Sequence, residues 1–102
     1  MALDQLKSTD FSPYLHQSFA IHYGAAEPLL AELVEVAELG PAPERAGAPQ
    51  RAPFSIILRG PRRPVLPQRI YHLEHDGMGA LDIFIVPIGP DQAGMRYEAI
   101  FN

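Results

Sequence analysis

Cysteine and tryptophan are both missing from the 102 residues. Without a thiol, the chain cannot carry a disulfide framework, a thiolate metal centre, an iron–sulfur cluster or a cysteine nucleophile. Long apolar runs are missing as well, and no segment approaches the roughly 18–20 residues that a membrane-spanning helix needs. The opening stretch MALDQLKSTDFSPYL has neither the basic start nor the unbroken apolar core of a secretory signal. The expected location is therefore the cytoplasm, without membrane contact. Net charge is −4 and the pI about 5.4, a balance that argues against nucleic acid as a partner.

What is present fits one folded domain, expected to span residues 1–102. At 47% apolar and 20% charged residues the chain is too hydrophobic to remain disordered. Proline is unevenly placed: seven of the 11 lie between Pro41 and Pro67. The segment 40–53, GPAPERAGAPQRAP, shows no periodicity and reads as an extended surface loop, because proline fixes its own φ and biases its predecessor away from helix.

The C-terminal half alternates with a period of two, as half-buried strands require. In FSIILR, Phe54, Ile56 and Leu58 share one face; in ALDIFIV, Leu81, Ile83 and Ile85 do. Met95, Tyr97, Ala99 and Phe101 repeat the pattern, and RIYHLEH is a fourth candidate through Tyr71 and Leu73. Gly60-Pro61, His75–Gly79 and Gly89–Gly94 separate these runs with turn chemistry. The connections are too short for crossover helices, which predicts antiparallel neighbours.

Toward the N-terminus, Ala2–Lys7 suits a short helix, Asp10–Pro13 a further helical turn, and Ser18–Tyr23 a strand. Residues 1–15 are expected to cover the sheet. PLLAELVEVAEL, residues 28–39, is ambiguous. Proline at its start, Leu30, Leu33, Val34 and Ala37 at helical spacing and Gly40 at its end favour a helix locally. Val34 and Val36 alternating with Glu35 and Ala37 allow a strand.

The blocks APFSIILRGP, LPQRIYHLEH, LDIFIVPIGP and the terminal YEAIFN occur together in this chain. In that combination the sequence resembles a family of small bacterial domains of unknown function, most closely over residues 52–102. The resemblance implies an all-β domain, which turns 29–39 into a strand. It also implies an accessory or assembly role beside phage-tail-collar or tail-fibre-like proteins. No activity, catalytic residue or cofactor comes with it.

Six arginines, Arg45, Arg51, Arg59, Arg62, Arg63 and Arg69, follow one another with no acidic residue among them, after a first 44 residues that hold seven acids and one lysine. Guanidinium favours bidentate recognition of carboxylate or phosphate, and with nucleic acid disfavoured this run is the candidate contact surface for another protein. Its plainer reading is surface solvation, or pairing with Glu32, Glu35 and Glu38. A cross-strand ion pair between Arg59 and Glu98 is expected to fix register. Ile57, Phe84, Val86 and Ile100 lie opposite the main apolar stripe. They need cover from Leu3, Leu6 and Phe11, from closure of the sheet, or from a partner.

His72 and His75 sit three apart, so on a strand they face opposite ways and cannot share an ion. A metal site would need His22 or His16 brought alongside, and none is expected. Ser55 lacks the glycine-flanked elbow of a hydrolase nucleophile. The expectation is therefore a mainly β single domain of about six antiparallel strands, near 17–23, 29–39, 52–59, 68–75, 80–87 and 95–101. These form a small barrel or sandwich with a short N-terminal helix. The expected function is a non-enzymatic protein-interaction or assembly module, with another protein or a second copy as partner. One alternative is a small-molecule or carbohydrate-binding barrel with Tyr71, His72 and Tyr97 around its cavity; the other is a small hydrolase.

Overall fold

The computed structural model describes residues 6–40 and 52–102. Six strands appear, β2 where the family resemblance implies one and the other five where alternation predicts them: β1 (Ser18–His22), β2 (Leu29–Glu38), β3 (Phe54–Gly60), β4 (Arg69–His75), β5 (Gly79–Pro90) and β6 (Met95–Phe101). They close into an antiparallel barrel in the order β1-β2-β3-β6-β5-β4, with β4 returning to β1. The barrel is therefore the realised member of the barrel-or-sandwich pair, and no sheet edge is left open. The central loop 40–53 of the sequence reading lies mostly outside the described residues.

β2 shows why residues 28–39 look helical. Leu29, Ala31 and Leu33 alternate inward until the register shifts between Leu33 and Glu35. One extra residue at this bulge breaks the parity of two, so the next core residue is Val36, opposite buried Ile56. An inward step of three, from Leu33 to Val36, imitates a helix.

A second bulge, between Pro87 and Gly89, explains why β5 reaches Pro90 instead of stopping near 87. Proline cannot donate to a ladder, and inside a closed barrel it survives only where pairing is already irregular. Gly89 has φ 108°, a conformation that suits glycine. The ladder then resumes through Gly89 opposite Arg96 and Pro90 opposite Met95.

Both barrel ends are plugged. The expected helix Ala2–Lys7 lies mostly outside the described residues; the helical turn expected at Asp10–Pro13 is present as α1 (Ser8–Phe11), which follows Lys7 and continues as a 3₁₀ turn, Ser12–Tyr14. The Lys7 N–H donates to the Asp10 carboxylate at 2.8 Å, which anchors the helix start at residue 8. This segment plugs the barrel, as expected of a short N-terminal helix, and its described residues do not supply the cover that Ile57, Phe84, Val86 and Ile100 need. Leu6 and Phe11 are fully buried, and Phe11 contacts Phe19, Phe54 and Phe101 at one end of the barrel.

At the other end, residues 61–68 cross from β3 to β4, which lie on opposite sides of the ring, and drop Leu66 into the core at 2% exposure. The Leu66 N–H donates to the Tyr97 hydroxyl at 2.9 Å, while the Tyr71 hydroxyl donates to the Pro67 carbonyl at 2.6 Å. Replacing Tyr97 with Phe strands a buried N–H, so unfolding stability should fall by about 1–3 kcal/mol in urea titration. A loss below half that would mean that water reaches the Leu66 amide.

Candidate functional site

The interior offers no place for the Tyr71–His72–Tyr97 grouping. Tyr71 and Tyr97 are core residues, at 3% and 0% exposure, and their hydroxyls hold the 61–68 cap. His72 points to the outer face. Burial raises the Tyr71 phenol, with the Arg69 charge partly opposing, because Arg69 sits 5.2 Å from its ring. Ser55 is likewise buried on β3, flanked by Ala37 and Ile100, away from the histidine-bearing strands β1 and β4.

Four arginines of the sequence run stand around the end closed by residues 61–68; Arg45 and Arg51 lie outside the described residues. Arg59, at the end of β3, bonds Asp91 at 3.1 Å and approaches Glu32 of β2 at 3.8 Å. Arg62 donates to the Asp91 backbone carbonyl at 2.7 Å. Asp91 thus ties the cap loop to the β5–β6 turn. Its carboxylate also accepts the Ala93 and Gly94 N–H groups. The Ala93 amide first, and then Arg59 and Gly94, hold Asp91 below the usual carboxylate range against an opposing desolvation. Arg63 is exposed on the cap, and Arg69 opens β4 across the ring from Arg59.

The expected Arg59–Glu98 pair is not formed. Arg59 stands opposite Arg96, while Glu98 faces Ile57 on one side and Val86 on the other. Two facing arginines repel, which the acids Asp91 and Glu32 offset. Pairing with Glu32, one of the plainer alternatives, is present in its place.

The second apolar face remains open. Ile70, Phe84 and Ile100, on β4, β5 and β6, are 64%, 49% and 56% exposed, and Ile57 and Val86 are half-buried. Ile70 and Phe84 are direct neighbours across β4 and β5.

Closure also assembles what the sequence reading kept apart. β1 pairs with β4 so that His22 stands opposite His72 and Ala20 opposite Glu74. His22 Nε2 meets the Glu74 carboxylate at 2.5 Å, and His72 Nδ1 meets Asp82 at 2.9 Å. The two imidazole centroids are 5.6 Å apart. Beside them, an open groove of about 530 Å³ has Ala20, Ala80, Pro28 and Leu30 in its lining, with His22, Glu74, His75 and Asp76 among its polar groups. His75 faces away from His72, as strand geometry requires, stacking on Phe19 and meeting Gln17 at 2.8 Å. His16 pairs separately with Glu32 at 3.0 Å. Among the described residues, no three His, Asp or Glu side chains are placed to hold one metal ion. Ser18, the groove's hydroxyl, lies four residues from His22 along β1, roughly 13 Å at strand rise.

These features define a small closed antiparallel barrel with a filled interior, whose ionisable side chains lie almost wholly on its outside. The chain belongs to the family described as a domain of unknown function (DUF6916), which matches residues 6–101. No curated protein and no solved structure matches it significantly. Among the described residues, no helix is long and apolar enough to cross a membrane.

Proposed function

We propose that the domain is a non-enzymatic protein-interaction module whose contact surface is the arginine-bearing end of the barrel. The observation that supports this reading is the cap itself. Asp91 holds Arg59 and Arg62 together, and the same cap leaves Arg63 and Val65 exposed, Val65 at 52%. A guanidinium group fixed by a neighbour loses less entropy on binding, and an apolar side chain beside it supplies area. The partner is a protein with an acidic surface. The resemblance to domains encoded beside tail-fibre-like proteins makes such a fibre or collar protein the first candidate.

The test is a binding titration against the neighbouring tail-collar-like protein, with the Arg62→Glu/Arg63→Glu double variant alongside. Charge reversal should weaken association by about tenfold or more. The exposed Arg63→Glu change alone should keep thermal stability within about 0.5 kcal/mol, whereas the double variant also loses the Arg62–Asp91 hydrogen bond and should cost about 0.5–1.5 kcal/mol. No association of the unaltered chain at micromolar concentration would count against the fibre partner. Equal losses of binding and stability would make the arginines structural.

A further inference from the structure

We propose that His22 and His72 together bind one divalent transition-metal cation of the copper, nickel or zinc class, with Glu74 and Asp82 as their outer carboxylates. Three observations converge on the pair. The two residues are direct cross-strand partners on the outer face of β1 and β4, with side chains about half exposed at 42% and 50%. Their ring centroids are 5.6 Å apart. Two imidazoles on one cation, each at a bond of about 2.0–2.1 Å, place their centroids roughly 5 Å apart at a tetrahedral angle. The observed centroid separation is close to that value, and both side chains are exposed enough to turn toward a shared ion.

The hydrogen bonds supply the third observation. A carboxylate only accepts, so in each neutral imidazole the proton sits on the nitrogen that faces it. For His22 that is Nε2 toward Glu74, and for His72 it is Nδ1 toward Asp82. The lone pairs are therefore left on His22 Nδ1 and His72 Nε2. A carboxylate behind each ligating histidine is the usual support of a metal site, since it fixes the tautomer and raises the basicity of the donor nitrogen. Two carboxylates also balance the charge of a divalent ion.

The chain supplies two ligands and water completes the shell, for which the adjoining groove, floored in part by Ala20 and Ala80, leaves room. Imidazole donors select borderline cations over magnesium and calcium, with copper bound more tightly than nickel or zinc. The geometry is a consequence of barrel closure, because only the β1–β4 pairing brings these two histidines together.

The test is calorimetric titration of the untagged full chain with copper(II), nickel(II), zinc(II) and magnesium(II) chlorides. One equivalent of the first three should bind, and magnesium should not. His22→Ala and His72→Ala should each reduce nickel affinity by about tenfold or more, and Asp82→Asn by a smaller factor. His16→Ala should leave it unchanged, since His16 bonds Glu32 at another place on the surface. His72→Gln keeps a polar side chain and serves if the alanine variant folds poorly. Electron paramagnetic resonance of the copper complex should show two coordinated imidazole nitrogens in the unaltered chain and one in either histidine variant. Absence of binding at millimolar metal, or wild-type affinity in both His22 and His72 variants, overturns the proposal.

Discussion

Phe11→Ala is expected to reduce unfolding free energy by about 3–5 kcal/mol, the usual cost of truncating a buried phenylalanine. Phe11 has no exposed surface. Its ring lies 5.5–6.4 Å from those of Phe19, Phe54 and Phe101, and Phe54 stacks on Phe101 at 4.7 Å. The four-residue helix that carries it is far too short to persist by propensity. What holds the segment is the insertion of Leu6 and Phe11 into the barrel end, so alanine both empties a cavity and loosens the plug. For a domain whose total stability is on the order of 5–15 kcal/mol, the urea midpoint should fall steeply. Phe11→Leu, which retains most of the volume, should cost less than half as much. A loss under about 1 kcal/mol for alanine would mean that the aromatic cluster closes without the N-terminal segment.

The strands were legible because each pairs a buried face with an exposed one, and alternation survives wherever the ladder is regular. It fails at the two bulges. At Leu33/Glu35 the inserted residue converts strand spacing into helical spacing. At Pro87/Gly89 it carries the strand past Pro87, which reads as its end, as far as Pro90. Periodicity records which face a residue takes and says nothing of which strand lies opposite. That is why the sequence suggests a pair between Arg59 and Glu98, which do share the outer face. The ladder sets Arg59 against Arg96.

Non-local pairing hid most of the candidate site as well. His22 and His72 lie 50 positions apart in sequence, and their meeting depends on closure between β1 and β4. The alternation of SFAIH and YHLEH sets both imidazoles opposite their strands' apolar stripes, at odds with a cavity shared by Tyr71 and His72; it holds no information on which strands meet. Leu66 and Tyr97 tell the same story at the cap. The loop was recognisable from its prolines, but a single buried leucine in a proline-rich stretch has no periodic partner to announce it.

Gly94→Ala should be the most damaging substitution at the arginine-bearing end, with a loss of about 3 kcal/mol, the upper part of the usual range for overpacking. A Cβ at Gly94 would lie 2.1 Å from the Gly60 carbonyl oxygen and 3.2 Å from Arg59 Cγ. Backbone oxygen in a closed ladder cannot step aside as a side chain can, so β6 must move away from β3 at the barrel rim, where Gly60 faces Met95. The same residue closes the β5–β6 turn: its N–H donates to Asp91, and its carbonyl accepts the Asp91 N–H at 2.8 Å. The displacement therefore reaches the carboxylate that holds Arg59 and the carbonyl that holds Arg62. Gly60→Ala is the control at the same rim. Its Cβ would meet Leu29 Cδ2 at 2.8 Å, the far end of a flexible side chain, and the cost should be nearer 1 kcal/mol. Thermal unfolding of the two variants side by side measures the difference, and similar small losses would mean that β3 and β6 are less closely joined at Gly94. If the cap is the contact surface, Gly94→Ala should also weaken partner binding at temperatures where it remains folded, although the residue presents no side chain to any partner.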